Sequence, residues 1–106
     1  MKAHVELTAR AFAVLESLSE SVAFDVFGKL DKLSEFPEMG SPLGPRFPRL
    51  KAFRQLIYKR WLRIIDQFDD DDQTVYILAI QDSRQKLPSA RDLKRDNRPD
   101  EELPLE

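Results

Sequence analysis

Seven lysines and arginines, Arg46, Arg49, Lys51, Arg54, Lys59, Arg60 and Arg63, fall between Met39 and Ile65 with no acid among them. A guanidinium carries a permanent charge and a planar fork that matches two oxygens of a phosphate or carboxylate. A run of one sign over this length therefore makes a local positive field, of the kind a phosphate backbone or an acidic peptide meets. The rest of the chain does not share the bias. Residues 1–38 carry seven acids and four bases, residues 66–90 six and two, and residues 91–106 six and four, for a net charge of −2. The positive field is local.

Few other residues offer chemistry. The chain has no cysteine and one histidine, His4, so disulfides, thiolate metal sites and histidine-rich metal sites are excluded, and no metal or cofactor is expected. Asp69 to Asp72 cluster oxygens as a hard cation would want, but lack the ligand spacing and turn glycine of a calcium loop, and read as a solvated hairpin turn. Trp61, between Arg60 and Arg63, has the type to stack on a base, although a packed strand aromatic is the simpler reading. Tyr58 and Tyr76 are the only phenols and both fall in strand-like segments. Neither a glycine-rich phosphate loop nor a Ser-His-Asp set is available.

The elements that must position these residues are legible from periodicity. Residues 3–7 alternate and predict a strand, and Thr8 offers a helix N-cap. Phe12, Leu15 and Leu18 give a first helix one apolar face; Ser19 to Ser21 interrupt it and cap a second, with Ala23, Val26, Phe27, Leu30 and Leu33 on one stripe until Pro37. The inner faces, Phe12, Leu15 and Leu18 with Val26, Phe27 and Leu30, are expected to lie against a sheet. Residues 37–48 hold four prolines and two glycines and read as an irregular connection. Residues 50–58, 61–68 and 74–81 read as strands, the last a near-continuous apolar run and so central and buried on both faces. The expectation is an α+β domain of order β-α-α-β-β-β, a helix hairpin packed on one face of a small antiparallel-rich sheet. It is expected to span residues 1–90, followed by a polar, flexible tail over 91–106. No run approaches a membrane span, and Glu6 stands where a signal peptide is apolar, so a cytoplasmic location is expected.

Four pieces of sequence in this order resemble the RelE/ParE toxins, the plasmid stabilisation proteins of type II toxin–antitoxin systems. They are Leu33–Gly40 (LSEFPEMG) with Phe53–Leu56 (FRQL), then Trp61–Ile65 (WLRII), then Thr74–Gln85 (TVYILAIQDSRQ). The most specific part is an ordered trio of arginines, Arg54, Arg63 and Arg84, and the likeness spans residues 3–88. What the resemblance implies is a toxin bound by a cognate antitoxin, with oligomeric complexes among its forms. RelE-like members cleave ribosome-bound mRNA by letting the ribose 2′-hydroxyl attack the adjacent phosphorus. ParE-like members poison DNA gyrase, and silent homologues bind an antitoxin only. By resemblance Arg63 and Arg84 would stabilise the phosphorane charge, with Lys51, Arg54, Lys59 and Arg60 gripping backbone phosphates. The chain departs from the active nucleases in three places. No aromatic residue follows Tyr76, Gln81 stands where many relatives carry histidine or tryptophan, and Asp66 stands where a tyrosine is common. No general base is evident.

Overall fold

The apolar run at the end of the chain is the strand around which the others assemble. The computed structural model describes residues 2–95. Its strands are β1 (His4–Leu7), β2 (Ser41–Pro42), β3 (Arg54–Tyr58), β4 (Leu62–Asp69) and β5 (Thr74–Asp82), with helices α1 (Ala9–Ser17) and α2 (Glu20–Glu35) between β1 and β2. They form a five-stranded sheet of order β1-β5-β4-β3-β2, parallel only between β1 and β5. The α+β architecture is the expected one, with one strand more. Ser41–Pro42 adds an edge pair within the Pro/Gly-rich connection, and a 3-10 turn at Pro48–Leu50 delays β3 until Arg54.

Thr8 ties the helices to the sheet. Its side-chain oxygen caps α1 at the Ala11 amide (3.2 Å), its hydroxyl donates toward the Ile77 and Leu78 carbonyls, and its amide donates to Ile77 (3.1 Å). The register of β4 on β5 slips at this point, pairing Ile65 with Ala79 and Asp66 with Ile77. The slip is a β-bulge, and it lets Leu78 and Ala79 point the same way. Ile77 and Ile80 join Leu15, Val26, Leu30, Leu33 and Ile64 under the helices. Leu78 and Ala79 join Leu43, Leu50, Phe53, Ile65 and Leu93 on the opposite face. The second face is covered by loops, not helices.

Two expectations about the helix stripes are corrected. Phe12 and Phe27 are 44% and 53% exposed, so neither belongs to the inner face assigned to it. In α2 the buried residues are Val26, Leu30 and Leu33; at about 100° per residue these cluster within an arc of about 60°, and Phe27 lies about 60° beyond its edge. Described contacts to the sheet continue through residues 89–95. Ser89 caps a 3-10 turn at Ala90–Asp92 and Leu93 is buried. The Arg95 guanidinium bonds Gln67 Oε1 (2.7 Å) and Asp69 Oδ2 (2.6 Å) and lies 4.5 Å from the centre of the Tyr76 ring. The expected flexible tail over 96–106 lies outside the described residues.

One buried group stands out. Asp66 is fully buried on the helix-bearing face opposite Arg54, and neither carboxyl oxygen has a hydrogen bond among the described residues. Burial pushes its pKa up to about 7, against a smaller downward pull from Arg54. Between about pH 4 and pH 7 the folded chain keeps this proton while the unfolded chain releases it, so this group's contribution to stability falls as pH rises through that window. Asp66→Asn removes the ionisation. Thermal melts from about pH 5 to about pH 8 should show the variant's Tm rising relative to the parent's as pH increases; a constant difference would contradict the assignment.

Candidate nucleic-acid interface

The loop cover on the second face is incomplete, and the gap is a groove of about 1060 Å³. Residues 46–50 form one wall, residues 85–91 the other, and Arg63 stands between them. The first wall closes on itself at Gly44, where any Cβ would lie 2.9 Å from Lys51 Cα and Cβ. Backbone bonds from Phe47 N to Leu43 O (2.8 Å) and from Leu50 N to Phe47 O (2.7 Å) fix the turn that carries Arg46 and Arg49. The second wall is held by Leu87, packed against the second core, and by the Ser89 cap. Among the described residues five cations line the groove, Arg46, Arg49, Arg63, Lys86 and Arg91, and no acid does.

Arg63 is the best-anchored of the five. It pairs across the sheet with Ile57 and Gln81, on the face away from the helices. Two of its N–H groups donate to the carbonyls of Ser83 (3.0 Å) and Gln85 (3.3 Å), while Nε is buried without a partner. Burial lowers its pKa from the ordinary value, though a guanidinium remains charged at neutral pH. No carboxylate neutralises it among the described residues. An anion entering the groove thus meets a fixed, incompletely bonded cation, the arrangement that stabilises phosphate charge.

The other sequence-proposed residues are distributed differently. Arg84 belongs to the same turn, flanked by the two carbonyls that hold Arg63, but its side chain turns away. It forms a two-bond fork with Asp82 (Nε–Oδ1 3.1 Å, Nη2–Oδ2 2.9 Å) and is highly exposed. That pairing holds the Asp82 carboxyl down to about 2. Asp82 follows Ile80 by two residues and shares its helix-bearing face, so the pair draws Arg84 out of the groove. Arg54 lies on that face too. It donates to the Gly40 (3.0 Å) and Glu38 (3.2 Å) carbonyls, fastening the connection to β3.

Lys59 and Arg60 form the β3–β4 turn, both at positive φ (47° and 69°). Ser83 secures that turn by bonding the Arg60 and Trp61 carbonyls at 2.6 and 2.7 Å. Lys51 follows the 3-10 turn and is exposed without lining the groove. Thus Arg63 alone of the six lines the groove. Arg46, Arg49, Lys86 and Arg91 were not singled out from the sequence, although the first two belong to the acid-free block.

No phenol or imidazole lines the groove. Tyr58 bonds Asp25 on α2 (2.5 Å) and Tyr76 bonds Asp72 (2.7 Å); in each case the carboxylate raises the phenol's pKa. His4 lies on the exposed sheet edge, and the Asp69, Asp70 and Asp72 carboxylates are engaged in their own turn, with Tyr76 or with Arg95.

No protein-family model matches the chain, and no curated protein does. Solved structures do. A RelBE2 toxin–antitoxin complex from Mycobacterium tuberculosis superposes with a TM-score of 0.67 at 24% identity, over 77% of this chain and 99% of that one. The fold is that of the RelE toxins. The isolated E. coli RelE toxin matches at 0.65 with 16% identity, over 79% and 87% of the two chains. An archaeal RelE–RelB complex from Pyrococcus horikoshii matches at 0.54 with 18% identity, over 81% and 100%. On this RelE-like frame the groove occupies the face opposite the helix hairpin.

The geometry separates binding from stability. Replacing Arg49 or Arg63 with alanine should weaken binding of a short single-stranded RNA and reduce the slope of log affinity against log salt by about 0.7 each. Arg54→Ala should leave that slope unchanged and lower the Tm, because its bonds are structural. Fluorescence anisotropy over a salt series, with melts alongside, checks both. A lower slope for Arg54→Ala would contradict the division.

Proposed function

We propose that this chain is the toxin of a type II toxin–antitoxin pair, and that it stops growth by gripping and cleaving ribosome-bound mRNA in the basic groove. The observation that carries the reading is the convergence, among the described residues, of five cations and no acid on one groove of a RelE-like fold, with Arg63 at its centre and unneutralised there. Arg63 would hold the scissile phosphate and offset charge as the 2′-oxygen attacks phosphorus, with Arg84 at the lip once it leaves Asp82. Among the described residues the groove contributes cations and positioning, and no proton acceptor from an imidazole, phenol or carboxylate; on this reading the 2′-hydroxyl proton passes to water as the 2′-oxygen bonds phosphorus, and the P–O5′ bond breaks with the departing 5′-oxygen taking a proton from water.

Two of the structures quoted above are complexes with an antitoxin. A cognate antitoxin is accordingly the first partner proposed here, with acidic side chains meeting the basic block. A cytoplasmic location follows from these partners, and no helix among the described residues is long and apolar enough to cross a membrane.

The missing proton acceptor favours one second reading, a ParE-like gyrase poison or a silent homologue that binds an antitoxin only. Induced expression in a bacterial host separates them when growth, cuts in ribosome-associated mRNA and gyrase-linked DNA breaks are scored together. The proposal expects growth arrest with mRNA cuts, and loss of both in Arg63→Lys without loss of folding, because lysine keeps the charge but not the fork. DNA breaks without mRNA cuts would establish the second reading. Undisturbed growth with soluble, folded protein would overturn the toxin assignment.

A further inference from the structure

Phe47 is out of place for a core residue. Its neighbours Leu43, Leu50 and Phe53 are all buried, yet Phe47 is 40% exposed and lines the groove. Loose backbone does not explain this, because its amide and carbonyl are both bonded, to Leu43 and Leu50, and Pro48 fixes the next residue. The backbone that carries the ring is fixed, and about two-fifths of the residue stays open on the groove. Leaving an aromatic ring in water forfeits the stabilisation that burial would give it, so a fixed, exposed ring in a concave site points to a ligand.

The surroundings define that ligand. Arg46 places its guanidinium over the Phe47 ring, 5.8 Å from its centre, a cation–π contact that keeps a positive charge beside the ring. Across the groove stand Leu87 and Pro88, an apolar wall, and between the walls stands Arg63. A flat apolar platform beside fixed cations matches a nucleotide, whose base has a π-face and whose phosphate is anionic. We infer that Phe47 is the platform of a nucleobase subsite, with one base of a single-stranded RNA stacked on its ring and the adjoining phosphate on Arg63. The inference deepens the proposed RNA-binding reading and rests on it. It makes Phe47 a positioning residue, setting which phosphate reaches Arg63.

Stacking is sequence-tolerant but needs a base, and this sets the test. Binding of a short labelled adenosine oligoribonucleotide is compared with that of an abasic ribose-phosphate strand of equal length, for the parent, Phe47→Ala, Phe47→Leu and Phe47→Trp. The parent should prefer the strand with bases. Phe47→Ala and Phe47→Leu should each lose about tenfold or more of affinity for the adenosine strand, the loss expected of a removed stacking platform, and bind the abasic strand as the parent does. Phe47→Trp should retain the preference. Because leucine keeps apolar bulk without a π-face, it separates stacking from a general packing role.

Equal parental binding of the two strands would overturn the inference. So would an acidic peptide that displaces the adenosine strand and responds to Phe47→Leu in the same way, which would mark a peptide groove. Growth arrest and mRNA cuts that persist without base dependence would sink this subsite and leave the toxin reading intact. Base-dependent binding by a chain that arrests nothing would do the reverse.

Discussion

Strand β5 presents apolar side chains to both faces of the sheet, and the fold is arranged to cover them. Ile77 and Ile80 need one cover and Leu78 and Ala79 another, because the bulge opposite Ile65 and Asp66 breaks strict alternation. The helix hairpin supplies the first, held in place by Thr8 at the bulge. The second comes from short pieces: the connection through Leu43, Leu50 and Phe53, and the segment ending in Leu93 and Arg95. Two loop covers approaching from opposite sides leave a gap where they do not meet. That gap is the groove, and Arg63 projects into it because it shares the face of Ile65.

Electrostatics divides the arginines into two groups. Arg84 has Asp82, Arg95 has Asp69, and Arg54 has Glu38 with two backbone carbonyls. These contacts fasten turns and connections, and as partly exposed pairs they contribute little energy individually. Arg63 is held by carbonyls instead, so its position is fixed while its charge stays uncompensated. Arg49, Lys86 and Arg91 likewise have no ion pair among the described residues. A chain of net charge −2 thus keeps a concave positive surface that no acid among the described residues lines.

Much of the fold was legible because hydrophobic period is a local signal. The run at 74–81, the caps at Thr8 and Ser19 and the break at Pro37 each determine an element without tertiary information. Phe12 and Phe27 were misassigned because a wide apolar stripe does not reveal which of its edges meets the sheet. The site was legible only in part. The acid-free block marked the right region, and Arg63 lines the groove. Arg54, next to buried Phe53 but on the opposite face, could not be separated from Arg63 by charge alone, since the face a strand residue takes depends on register. Lys86 and Arg91 were hidden in a polar, aperiodic segment anchored by long-range contacts at Leu87, Leu93 and Arg95. The Lys59–Arg60 turn gave no turn signal, because both residues occupy positive φ without glycine or asparagine.

The central claim is that the groove opposite the helices, with Arg63 at its centre, is where RNA binds. Amide chemical-shift mapping with a short single-stranded RNA tests it most directly. The account predicts that shifts concentrate at residues 46–50, at Arg63 and its Ser83–Gln85 anchors, and at residues 86–91, leaving α2 and the free edge of β1 unperturbed. Shifts centred on the helix hairpin or on the Lys59–Arg60 turn, with the groove silent, would contradict it.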